Sequence, residues 1–362
     1  MSRRSWAVID LDALRHNLVR VRERAPRARV MAAVKAEAYG HGAVEVARAL
    51  DADALAVATL GEALELRQAG IGRPIVLLGG VLDTDELHTA TGQDLQLVVH
   101  DFHQLGLIER SACAHTAAVW IKLDTGMHRL GFESGAMPEL CRRLAALPAL
   151  RLQGWMTHFA CADETDNPAT CRQIETFRQM TAGLPGARSL ANSAGILAWP
   201  DAHADWVRPG IMLYGASPLA GCSAESLGLR PVMTLRSRVL SIRELPAGEA
   251  VGYGGSWITP ERMRVGILAI GYGDGYPRHA PSGTPVRVGG RRTQVVGRVS
   301  MDLLAVDLRG CDEVREGDEA VLWGEGLPAD EVAAAADTIA YELFCAVRRK
   351  RVEYVYAGRP NA

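Results

Sequence analysis

Lys35 closes a short apolar run, Ala28-Arg29-Val30-Met31-Ala32-Ala33-Val34, and opens a polar turn, Ala36-Glu37-Ala38-Tyr39-Gly40-His41-Gly42. The run is too short for an ordinary helix, contains β-branched residues and ends at glycines, so it reads as a buried strand with Lys35 at its C-terminal end. In parallel α/β folds that end is where active sites are assembled. A lysine amine placed there can form a Schiff base with an aldehyde cofactor; the alternative is a solvated surface lysine.

Stepping outward, the elements that must carry such a lysine recur along the first two thirds of the chain. Asp12 can cap a helix with Leu14, Leu18 and Val21 on one face. Strand-like runs follow at 29–34, 54–58, 74–78, 95–99, 117–123, 152–157, 189–191 and 207–213, with helix-like segments such as 44–50, 61–69, 137–147 and 171–183 among them. About eight strands, most separated by helices, fit a (β/α)8 TIM-type barrel over residues 5–230; a doubly wound open sheet is the competing fold. After residue 231 the pattern changes to short alternating strands, including a hairpin from Pro285 to Val296 turning at Gly289-Gly290 and a strand from Asp302 to Leu308. A mostly β C-terminal domain, 231–356, is expected, packed closely on the barrel.

Composition sets the outer limits. The chain has 362 residues, 48% hydrophobic and 23% charged, with a formal net charge of -2, which suits a globular enzyme and argues against a nucleic-acid or membrane-surface role. Met1-Ser2-Arg3-Arg4 is basic, but Asp10 and Asp12 interrupt any apolar signal segment, so a cytoplasmic location is expected. The seven cysteines, Cys113 among them, form no Cys-x-x-Cys pair and read as reduced thiols; no metal site is expected.

Nine motifs, in order, carry a resemblance. They are Lys35-Ala36-Glu37-Ala38-Tyr39-Gly40-His41-Gly42, Lys122 to Phe132 with Arg129, Met156-Thr157-His158-Phe159, Ala191-Asn192-Ser193-Ala194, Arg208 to Gly215, Val251-Gly252-Tyr253-Gly254-Gly255, Gly271 to Tyr276 with Tyr272, Val299-Ser300-Met301-Asp302 and Ile339-Ala340-Tyr341-Glu342-Leu343. Singly most are weak, but as an ordered set spanning nearly the whole chain they resemble the bacterial alanine racemases.

That resemblance implies a pyridoxal 5'-phosphate enzyme working as a homodimer on alanine. Removing an α-proton needs an electron sink, which the pyridoxal ring supplies and no side chain does. Lys35 is then cofactor anchor and base for one face, with Tyr253 from the other subunit's β domain serving the opposite face. Because an ordinary tyrosine titrates near 10, Tyr253 needs positive charge nearby, for which His158 and Arg208 are the natural suppliers. Arg208 resembles the residue facing the pyridine nitrogen, where a guanidinium that keeps its proton leaves that nitrogen unprotonated. Gly210 and Ile211 N–H groups, with the hydroxyls of Ser193, Tyr39 and Tyr341, are implied as phosphate ligands; taken alone, Ser193 could equally cap a helix. Arg129 is implied for the substrate carboxylate or the cofactor phenolic oxygen. Lys122 matches a lysine carbamylated in some relatives, the alternative being a pair with Asp124. Met301, Asp302 and Tyr272 are expected to reach the partner's site and narrow its entry.

Two departures stand out. Glu37 replaces the asparagine usual two residues after the lysine, and Arg349-Lys350-Arg351-Val352 replaces a commonly proline-containing ending. The expected reaction is interconversion of L- and D-alanine by a two-base mechanism, for cell-wall D-alanine or alanine catabolism. A racemase or decarboxylase acting on another amino acid is the neighbouring alternative, although Ser300-Met301-Asp302 stands where such a decarboxylase would carry a cysteine. A non-catalytic cofactor carrier would not need residues 231–356.

Overall fold

Eight parallel strands close a barrel in the order in which the chain supplies them: Arg29–Ala33, Ala54–Val57, Ile75–Leu77, Leu95–Val99, Ala118–Lys122, Arg151–Met156, Ala187–Ser189 and Trp206–Val207. The ring shuts where Arg29 and Val30 pair with Trp206 and Val207. The computed structural model describes residues 4–111, 117–147 and 150–358, so Met1-Ser2-Arg3 and Cys113 lie outside the described residues.

Side chains alternate along these strands as the two-residue period requires. Met31, Ala54, Ala56, Val76, Val98, Trp120 and Met156 form one buried cluster. Their neighbours Val30, Ala32, Leu55, Val57, Ile75 and Leu77 belong to the larger core shared with the helices. Trp120 needs small neighbours: a Cβ on Gly154 would stand 2.8 Å from its ring and 2.2 Å from the Ala187 carbonyl oxygen.

Three expectations are corrected here. The helix Leu11–Arg24 is capped by Asp10, whose carboxylate accepts from Asp12 and Ala13 N–H at 2.9 Å each; Asp12 already lies in the first turn. The run expected as a strand over 207–213 is a strand only at Trp206–Val207, since Pro209 has no N–H for the ladder, and Ile211–Tyr214 winds into a 3-10 turn. The strand Ser5–Asp10, inside the span expected for the barrel, is hydrogen-bonded into the second sheet, antiparallel to Met233–Leu245 and parallel to Glu353–Ala357.

That second sheet has eight strands. Its longest, Met233–Leu245, shifts register between Val239 and Ser241, pairing with Glu319–Trp323 on one side of the shift and Met263–Leu268 on the other, which rolls the sheet back on itself. The hairpin Pro285–Val288 to Arg291–Val296 turns on Gly289 and Gly290, both at positive φ, as a two-residue hairpin turn demands. Leu304–Asp307 forms the expected strand, with Asp302 in the turn before it. Among the described residues no helix is long and apolar enough to cross a membrane.

Candidate active site

Lys35, Lys122, His158, Ser193 and Arg208 all follow or end barrel strands, so the parallel arrangement gathers them at one mouth. They line a cavity of about 530 Å³ together with Tyr39, Arg129, Gly210, Ile211 and Tyr341. Among the described residues that line it, four are cations, Lys35, Lys122, Arg129 and Arg208, and none is a carboxylate. Burial, then Arg129, pushes the Lys35 amine below its usual range, with Glu62 opposing. Burial and the neighbouring Arg208, Arg129 and Lys35 charges bring Lys122 down to about 8.

Lys35 sits on an unusual backbone. Ala36, Glu37, Ala38 and Tyr39 have φ between 52° and 56°, a left-handed turn built without glycine. Each such residue costs about 1–2 kcal/mol, so the turn persists only because its surroundings hold it. At its start Ala36 N–H donates to Glu62 Oε1 at 2.7 Å, while Glu62 Oε2 accepts from Ala58 and Thr59. At its end Gly40, at φ 76°, lies against the chain so closely that a Cβ would meet the Phe344 carbonyl oxygen at 2.0 Å. Glu37 does not line the cavity; its carboxylate accepts from Arg349 Nη1 at 2.7 Å. The two departures noted in the sequence therefore meet.

Arg208 is buried and held by carbonyls: Nη1 donates to Ser189 O and Oγ, and Nη2 to Thr157 O and Leu190 O. Its Nε makes no hydrogen bond among the described residues. Burial lowers its pKa to about 10, below the value expected for a guanidinium, and leaves it charged at neutral pH. Nη2 also lies 3.5 Å from His158 Nδ1. Since the guanidinium can only donate, Nδ1 accepts and the imidazole proton sits on Nε2. Burial, with Arg208, Lys122, Arg129 and Lys35 around it, pushes His158 well below its usual range, so this ring is neutral. The expectation that His158 supplies positive charge is thereby corrected.

Ser193 does not cap its helix; Asn192 does, accepting from Gly195 N–H at 2.9 Å. Ser193 Oγ instead accepts from Gly210 N–H at 2.8 Å, so that N–H is already engaged, while the Ser193 proton is left to donate. A Cβ on Gly210 would stand 2.5 Å from the Tyr39 hydroxyl, which keeps a cradle open between them. Tyr39 stacks on Tyr214 with centroids 4.8 Å apart, and the Tyr214 hydroxyl donates to Ala33 O at 2.8 Å. Burial holds the phenols of Tyr39 and Tyr341 protonated, the latter pushed up to about 12.

Lys122 forms no ion pair with Asp124. The Asp124 carboxylate accepts from Gly126, Met127 and His128 N–H, shaping the loop that presents Arg129. Gln173, which no motif marks, donates to His158 O at 3.0 Å and to Thr125 Oγ1 at 3.2 Å. It fixes two loops of the mouth from behind.

The remaining expected residues are elsewhere. Tyr253 is 68% and Met301 52% exposed, on the second sheet's loops, and neither lines the cavity of its own chain. Gly252, Gly254 and Gly255, all at positive φ, present Tyr253 on a tight turn. Tyr272 N–H donates to Ser300 O and Gly273 N–H to Met301 O, so the two loops form one unit, with Asp302 and Asp274 both bound by Arg351.

Barrel and cavity together define an enzyme with a depressed lysine amine among cations and hydroxyl donors, suited to an anionic carbonyl compound. The alanine racemase N-terminal domain model matches residues 9–218, and the C-terminal domain model matches 232–356. An alanine racemase of Halorhodospira halophila is 53% identical over 98% of this chain and 99% of its own length. A catabolic alanine racemase of Pseudomonas putida is 50% identical over 96% and 98%. The crystal structure of a biosynthetic alanine racemase from Pseudomonas aeruginosa superposes with a TM-score of 0.95 at 48% identity, covering 98% of this chain and 100% of that one. The chain belongs to the alanine racemase family.

Proposed function

We propose that the protein interconverts L- and D-alanine in the cytoplasm with pyridoxal 5'-phosphate, as a homodimer whose sites are shared between subunits. The observation carrying this reading is the Lys35 amine, depressed by burial and by Arg129, inside a cationic cavity without a carboxylate.

The residues present fit the cofactor. The open cradle between Gly210 and Tyr39, with Ile211 N–H and the hydroxyls of Ser193, Tyr39 and Tyr341, offers donors to a phosphate. Arg208, charged and with Nε unbonded, suits a pyridine nitrogen that accepts a hydrogen bond. When bound, the cofactor supplies the sink for negative charge at the α-carbon. Lys35 would hold it through its amine, and the same amine would take or return the α-proton on one face.

On the other face the partner's Tyr253 does the same. Neutral His158 donates from Nε2 to the phenolic oxygen, while Arg208, bound to Nδ1, polarises the imidazole; the positive charge that steadies a phenolate is thus delivered through a neutral ring. Arg129, free of any ion pair among the described residues, binds the substrate carboxylate. The partner's Met301, Asp302 and Tyr272 close the entry and leave room for a methyl side chain.

D-alanine made this way serves cell-wall synthesis or alanine catabolism. A coupled assay of D-alanine formation from L-alanine, run beside serine, lysine and ornithine, tests the reading. Alanine should be turned over fastest, and turnover of another amino acid without alanine would overturn the substrate.

A further inference from the structure

The left-handed turn after Lys35 is gripped in its middle and at its end by the last residues of the chain. Arg349 Nη1 donates to Glu37 at 2.7 Å. The same guanidinium lies over the Tyr354 ring at 5.0 Å, and its Nη2 is 3.3 Å from the Tyr356 hydroxyl. Those two tyrosines take hold of the turn's exit, Tyr354 donating to Gly40 O at 2.7 Å and Tyr356 to His41 O at 3.2 Å. Arg349 therefore touches both the middle of the turn and the two phenols that bind its end.

We propose that Glu37 and Arg349 form a clasp that positions Lys35, tying the turn to the C-terminal segment so that the amine is held at the place where it meets the cofactor. The inference rests on Lys35 being the cofactor lysine. Glu37 and Arg349 are positioning residues, since neither lines the cavity. A turn of four non-glycine residues at positive φ has no intrinsic preference for its own shape, so small external contacts decide where it settles. The pair is 41% and 44% exposed, which keeps the effect modest.

The test uses the full-length holoenzyme and three variants: Glu37→Gln, Arg349→Gln, and the reversed pair Glu37→Arg with Arg349→Glu. Each is stripped of cofactor and titrated with pyridoxal 5'-phosphate by visible absorption, and kcat and KM for alanine are measured, with circular dichroism as the control for folding. Each single variant should bind the cofactor about two- to fivefold more weakly, the size of an exposed ion pair, and should lose kcat more than it changes KM. The reversed pair should regain part of the lost affinity and kcat, since it restores the ion pair with the charges exchanged but not the guanidinium's contacts with Tyr354 and Tyr356.

Single variants that match the parent in cofactor affinity and kcat would overturn the proposal. So would a reversed pair worse than either single variant, because that is the signature of a local charge effect. Borohydride reduction of the parent holoenzyme and peptide mass mapping separate the underlying reading. Cofactor fixed on Lys35 leaves the variants to decide about the clasp, whereas cofactor fixed elsewhere brings down both.

Discussion

Lys122 is the side chain least comfortable in the cavity. Burial first, then Arg208, Arg129 and Lys35, push its proton off against a weaker pull from Asp124, and its pKa falls to about 8 from an ordinary 10.5. A neutral amine attacks the carbon of carbon dioxide and loses a proton as the N–C bond forms, and the resulting carbamate would put a negative charge among these cations. On adding 13C-bicarbonate, a carbamate resonance should grow as pH rises through about 8 and be missing in Lys122→Arg. Its absence in the parent protein at every pH would end the carbamate reading. The sign for stability is the same: between about pH 8 and 10.5 the unfolded chain still binds the proton that the native Lys122 has released, so stability contributed at this site rises with pH across that window.

The element that matters most is the turn from Lys35 to Gly40, and its weak point is where it touches the helix Ala340–Ala346. A Cβ at Gly40 would collide with the Phe344 carbonyl oxygen, whereas Gly221, at a similar positive φ, has nothing within 4 Å. Gly40→Ala should therefore cost both strain and overpacking, about 2–4 kcal/mol, and Gly221→Ala only the strain, about 1 kcal/mol. Thermal denaturation of the two variants checks this, and equal losses would mean that the close approach to Phe344 does not govern the turn. This turn also shows where the sequence stops being legible. The strand before it could be read because apolar, β-branched residues bounded by glycines leave few alternatives. Ala36-Glu37-Ala38-Tyr39 contains good formers of right-handed helix and no glycine, so its left-handed path comes from Glu62, Phe344 and Arg349, residues up to three hundred positions away. Likewise Lys35, His158 and Arg208 could be picked out by motif, but Gln173, which only holds backbone in place, carries no local signal, and Glu62 carries only that of a capping box with Thr59. The neutrality of His158 was beyond reach for a related reason, since it depends first on burial and then on four cations brought together by the barrel.

At the scale of the whole molecule, the chain sends its acid–base groups in two directions. Lys35 lines its own barrel's cavity, while Tyr253, Met301 and Tyr272 sit on loops of the second sheet and do not line it. The strand Ser5–Asp10 binds the two chain ends into that sheet, next to the strand that carries Tyr354 and Tyr356 to the Lys35 turn. The second sheet thus steadies its own subunit's lysine while presenting a tyrosine outward. The proposed pair of Lys35 and Tyr253 would then form between subunits, and mixing two dead chains tests it. Lys35→Ala and Tyr253→Phe should each lose activity as homodimers, by about 10²–10⁴-fold for the tyrosine. In a mixed dimer one site has lost both groups and the other has Lys35 from one chain and Tyr253 from its partner. Random exchange makes about half the dimers mixed, each with one intact site of two, so about a quarter of the parent activity should return. If exchange is verified by differently tagged chains and no activity returns, lysine and tyrosine do not meet across the interface.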